Sequence, residues 1–105
     1  MIARIWHGWT TADRADAYEE LLRSEVLPGI GRIDGYVGAD LMRAPAAAGR
    51  VEFVTVTLWE SLEAVHAFAG DDYEQAVVPP EARALLESFD ERSRHYDVIA
   101  RSAPR

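Results

Sequence analysis

The stretch Glu52–Gly70, EFVTVTLWESLEAVHAFAG, constrains this chain most, because a strand built for packing passes there directly into a capped helix. Phe53, Val54, Val56, Leu58 and Trp59, interleaved with Thr55 and Thr57, are the β-branched, aliphatic and aromatic types that suit a pleated, packed surface. Ser61 stands at the N-cap position, where a hydroxyl can accept from an orphan amide of the first turn. Leu62, Val65, Phe68 and Ala69 follow at helical spacing, and Gly70 sits where a left-handed C-terminal residue is easiest. Neither alternating set of the strand, Val54–Val56–Leu58 or Phe53–Thr55–Thr57–Trp59, reads as a solvated face. Trp59 is the last large side chain before the chain leaves the sheet, at the edge of a sheet-and-helix layer where small-molecule pockets form.

The remaining elements fall into place around this unit. Ile2–Trp9 reads as a first strand. Thr10 or Thr11 can cap a helix over Thr11–Leu27, whose stripe is Ala15, Tyr18, Leu22 and Val26 with Leu21 beside it. Pro28-Gly29 is expected to end that helix. Asp34-Gly35 marks a turn into a second strand at Tyr36–Arg43, and APAAAG over 44–49 is a hairpin loop into a third strand at Arg50–Trp59. Pro79-Pro80 opens a further helix over Pro80–Phe89, and His95–Arg101 reads as a fourth strand. Residues 102–105 form a frayed tail, leaving one domain over 1–101. The order is β-α-β, β-α-β with one extra short helix: an α+β, ferredoxin-like split βαβ fold with a four-stranded antiparallel sheet and its helices on one face.

A chain of 105 residues is a single domain that buries roughly 65% of its unfolded surface and gains from a partner. The second face of the sheet has nothing in the chain to cover it, so two copies packing sheet on sheet are expected, as a homodimer. A net charge of −7, with eleven scattered arginines and no lysine, argues against nucleic acid and anionic membrane surfaces. The absence of cysteine removes disulfides and thiolate chemistry. MIARIWHGWT is too short and polar for a signal peptide, so a cytoplasmic protein is expected. His7, His66 and His95 lack metal-ligand spacing, and the glycines do not open a helix as a phosphate loop would, so no metal site is expected.

The strand MIARIW, the Leu27-Pro28 and Gly35-Tyr36 link, the segment VEFVTVTLWESLEAVHAFAG, DDYEQAVVPPEARALL and the closing HYDV together resemble the antibiotic-biosynthesis-monooxygenase-type group of dimeric α/β-barrel proteins. The resemblance runs from Met1 to about Ala100 and implies a dimeric barrel with a pocket between sheet and helices. It also implies a Trp at the end of the third strand, which Trp59 matches. Haem-degrading members add an Asn on the first strand and a His on the helical segment after the third strand. Here the first strand carries Trp6 and His7 and no Asn, and Tyr73–Val78 contains no His, which sets haem degradation aside.

Candidate site residues each carry a structural alternative. Trp59 lines a ligand pocket or is a core tryptophan. His7 is a general base, with an ordinary pKa near 6.5, or a hydrogen-bonded core or interface imidazole. Arg4, three residues earlier, falls on the opposite strand face from His7; it anchors an enolate or carboxylate, or pairs with an acid across a dimer. Trp6, Tyr73 and His95 are further candidates for contact with substrate; Tyr73 can lid a pocket, and of His95 and Tyr96 the second is expected in the core. The resemblance implies cofactor-independent oxygenation of an apolar aromatic substrate. A lyase, isomerase or cyclase and a non-catalytic binding or stress-response dimer are the alternatives on the same scaffold.

Overall fold

A computed structural model describes residues 1–104, and the last residue of the expected tail lies outside them. Strand β1 (Ile2–Thr11) leads to α1 (Ala12–Leu21), a π-helical turn over Leu22–Val26 and α2 (Leu27–Ile30). Strands β2 (Tyr36–Arg43) and β3 (Arg50–Trp59) follow, then α3 (Leu62–Ala69), α4 (Pro80–Leu85) and two short strands, β4 (Ser88–Phe89) and β5 (Arg94–Asp97). The sheet is antiparallel in the order β2-β3-β1-β4, with β5 also on the free edge of β1. This is the α+β, ferredoxin-like split βαβ architecture, with the place beside β1 divided between two short strands: β4, from the end of the expected last helix, and β5, which overlaps the expected fourth strand.

That division has a visible cause. Leu86 takes extended backbone, ending α4 at Leu85 and not Phe89, and Glu87 N–H donates to Trp9 O as the chain joins β1. Asp90 N–H still donates to His7 O, and Glu91–Ser93 then bends away from the sheet, where Ala76 N–H donates to Glu91 O and Ser93 N–H donates to Glu74 O. The chain rejoins β1 at Arg94 and leaves it after Asp97, so the last strand is shorter than His95–Arg101. Beyond it Val98 N–H still donates to Met1 O.

The first helix also departs from expectation. It runs through Pro28-Gly29 to Ile30, because Leu27 N–H reaches back to Leu22 O in an i→i−5 bond. This wider turn accommodates Pro28, whose ring would otherwise meet the carbonyl four residues back. Neither threonine hydroxyl caps α1. Thr10 donates to Leu85 O, and the amide of Ala12 finds Gly49 O. Ser61 does cap α3, accepting from Ala64 N–H at 3.2 Å, and Gly70 ends it at φ 89°.

Register divides the sheet into two faces. Arg4, Trp6, Gly8 and Thr10 oppose Thr57, Thr55, Phe53 and Val51 under the helices. On the other face Ala3, Ile5 and His7 oppose Leu58, Val56 and Val54. Tyr18 packs on Phe53 with ring centroids 4.8 Å apart, centring the core between α1 and β3.

Candidate functional site

Arg4 is buried, with 5% of its surface exposed, beneath the helical layer. It opposes Thr57 on β3 and His95 on β5, so its side chain rises between the sheet and the loop from Asp71 to Pro79. Its Nη1 donates to Tyr73 O and lies 2.9 Å from His95 Nε2; Nη2 donates to Gln75 O at 2.9 Å. The guanidinium carbon stands 5.5 Å from the Phe68 ring centroid, over its negative face. Among the described residues no carboxylate pairs with it. Burial without a counter-charge draws its pKa down from 12.5 to about 10. It remains a cation at neutral pH, and of the five N–H bonds of a guanidinium three are engaged.

His95 takes the complementary role. Burial first, and then the charge of Arg4, lower its pKa, with Glu74 opposing. A neutral imidazole accepts from Arg4 at Nε2 and carries its own proton on Nδ1. Tyr73 packs against both histidines of this corner, edge-on to His95 at 5.1 Å and tilted against His66 at 4.7 Å. The loop holding these carbonyls is pinned to the far side by Arg92, which pairs with Asp72 at 2.7 Å.

Arg4 and Trp6 open on a chamber of about 60 Å³ between the sheet and the helices. Its sheet wall carries the hydroxyls of Thr55 and Thr57 and its helical wall is apolar, with Tyr18, Leu22 and Val26. Thr57 Oγ1 accepts from Trp59 Nε1 at 2.9 Å. Thr55 Oγ1 is buried and has no hydrogen-bond partner. A buried hydroxyl of this kind costs about 1–3 kcal/mol unless something answers it. The wall of this largely apolar chamber therefore includes a buried cation, Arg4, and a residue with an unanswered hydroxyl, Thr55.

The structure brings four sequence-predicted residues together: Arg4 and Trp6 in the wall, Tyr73 and His95 holding Arg4 from behind. Trp6 is fixed by Nε1–H donating to Asp90 O at 2.7 Å. Trp59 stands one side chain back. Fully buried, it stacks on Phe68 at 5.0 Å, and Phe68 is the ring that faces the chamber. His7 points to the opposite sheet face, as its offset from Arg4 requires, with Nδ1 2.9 Å from Asp90 Oδ2. Tyr96 is 48% exposed on that same open face; it is His95 that turns inward, because register sets it opposite Arg4. Sequence reasoning missed Thr55, Thr57 and Phe68. The available signal was two hydroxyls on the same face as Phe53 and Trp59, in a strand otherwise composed for packing.

Comparison with known proteins agrees with this fold. The sequence profile described as antibiotic biosynthesis monooxygenase matches residues 1–80. No curated protein matches the chain. Among solved structures, an antibiotic biosynthesis monooxygenase-type protein from Deinococcus radiodurans superposes with a TM-score of 0.69 at 14% identity, covering 100% of this chain and 99% of that one. A monooxygenase from Streptomyces coelicolor, in complex with nanaomycin D, gives 0.64 at 16% identity, covering 99% and 92%. The heme-degrader MhuD of Mycobacterium tuberculosis, with two hemes in its active site, gives 0.63 at 18% identity, covering 98% and 100%. At such identities the superpositions establish the shared fold, and it is the match over residues 1–80 that places the chain in the antibiotic biosynthesis monooxygenase family.

Proposed function

We propose that this chain is a cofactor-independent monooxygenase acting on an aromatic, polyketide-like small molecule, working as a homodimer. The observation that supports it best is Arg4, a buried cation facing an apolar chamber without a carboxylate of its own. A phenol or enol entering there loses its proton readily, since the guanidinium stabilises the resulting anion in a site of low dielectric. Phe68, in the wall shared by the chamber and the surface groove beyond it, gives the ring an aromatic surface to pack on while its oxygen reaches Arg4. The electron-rich anion then reduces O₂ directly. For a CH₂ between two aromatic rings, one oxygen atom becomes the new carbonyl and the other leaves as water. That carbon supplies both hydrogens and all four electrons, so no external reductant enters the balance.

The surroundings of Arg4 do not fit a haem iron. No histidine lines the chamber among the described residues, and His95 Nε2 is held by the guanidinium. A proton-transfer reaction without oxygen is the second reading, favoured by the neutral His95 imidazole in contact with Arg4. Dimerisation is supported by the open sheet face, where Ile5, Val54, Val56 and Leu58 lie together and Met42 and Tyr96 are 47% and 48% exposed. The test is aerobic incubation with anthrone- and quinol-type compounds under isotopically labelled oxygen, followed by mass spectrometry. One labelled atom in the product is the expected result. Turnover that persists under nitrogen transfers the reading to lyase or isomerase chemistry.

A further inference from the structure

At about 60 Å³ the chamber is well under the roughly 150 Å³ cavity that admits benzene. It holds a few atoms at Arg4 and Thr55 and no ring system. Its outer rim is formed by Val26, Ile30, Phe68, Val77 and Pro79, and the same five side chains line an apolar groove on the surface beyond. Chamber and groove thus share one wall, half exposed at Val77. The inner side of that wall has Arg4, with two guanidinium N–H bonds left over by the protein, and Thr55 with its unanswered hydroxyl, whereas Glu25 and Glu81 border the groove outside.

Resting on the reading of this cavity as the substrate site, we propose that chamber and groove are two halves of one site for an apolar acid bound head first. The ionised oxygen sits on Arg4 with a hydrogen bond from Thr55, and the apolar body lies outside, over Val77 and Ile30. The planar fork of an arginine suits an oxygen acid, and a buried cation gains most from a ligand that brings the missing negative charge. The groove is suited to the other end of the molecule because its floor, Val26, Ile30, Phe68 and Val77, is hydrophobic.

Calorimetry under nitrogen with 4-pentylbenzoate and its neutral counterpart 4-pentylbenzyl alcohol tests this apart from any turnover. The acid is expected to bind about tenfold tighter than the alcohol, the difference made by one charge-assisted contact. Thr55→Val should weaken the acid about threefold or more at unchanged melting temperature and leave the alcohol alone. Val77→Trp, at an exposed position, should weaken 4-pentylbenzoate and spare plain benzoate. Arg4→Gln should erase the preference for the acid; if that variant does not fold, the other two decide. Equal binding of acid and alcohol overturns the proposal, as does absence of binding or indifference of 4-pentylbenzoate to Val77→Trp. Acid preference without oxygen uptake on any substrate supports the head-first site and removes the oxygenase reading. Oxygen uptake without acid preference does the reverse.

Discussion

Arg4 and His95 form a coupled pair of residues whose contact has consequences outside any reaction. The imidazole is held neutral by burial and by the guanidinium, so its folded pKa lies below the ordinary value of 6.5. Above that value both folded and unfolded chains carry it neutral and stability is complete. As pH falls below 6.5 toward the folded pKa the unfolded chain takes up a proton that the folded chain does not, so stability is lost over that interval. Glu74 opposes the shift and Tyr73 packs on the ring without changing its charge. Urea midpoints measured between pH 7.5 and 5 should decline, and His95→Gln should flatten the part of that decline due to this ring; an unchanged slope would count against the contact. Of this corner the sequence offered the right residue types at Arg4, Tyr73 and His95, but not their assembly. Their separation along the chain is wide, and a hydrogen bond such as that from Arg4 to Gln75 O leaves no periodic trace.

At the scale of the elements, the junction of β2 with α3 is the least forgiving point. Gly35 adopts φ 86°, and a Cβ built there would stand 2.4 Å from the Cβ of Ala64. Gly35→Ala is expected to cost about 2–4 kcal/mol, from left-handed backbone strain together with overpacking against α3. Gly29, with open space around it in α2, gives the contrast: Gly29→Ala should stabilise by about 0.5–1 kcal/mol. Denaturant midpoints of the two variants, which move in opposite directions, check both. Elements with a two-residue or 3.6-residue rhythm were legible, and β2, β3 and α3 have the bounds their patterns give. What was not legible depends on partners far along the chain. The π-helical turn that carries the helix past Pro28 is a local widening that no residue type announces. The break between β4 and β5 follows from Glu91–Ser93 pairing with Glu74–Ala76, a tertiary event.

For the whole molecule the question is what covers the open face of the sheet. With Val56 at its centre, between Ile5 and Asp40, one substitution suffices to ask. The native chain should elute as a dimer at micromolar concentration, and Val56→Asp should elute at half that mass with its circular dichroism retained, since a buried unpaired carboxylate is tolerated by the separate chains only. A native chain eluting as a monomer would refute the sheet-on-sheet pair. The face was legible before its orientation was: the strand's composition demanded cover on both sides, and only the register shows that Val54, Val56 and Leu58 are the outward set.

The broken edge beside β1 bears on how such molecules avoid one another. An uninterrupted outer strand would offer a row of free amides and carbonyls to any passing copy. Here β4 spans two residues and β5 four, with the chain between them turned aside, and at the opposite border the register of β2 slips between Tyr36 and Gly38. The β1 border is thus a poor template for another strand, while on β2 the irregularity is confined to the start of the strand. If copies pair through the open sheet face as proposed, this broken edge keeps that contact from competing with ribbon growth on the β1 side.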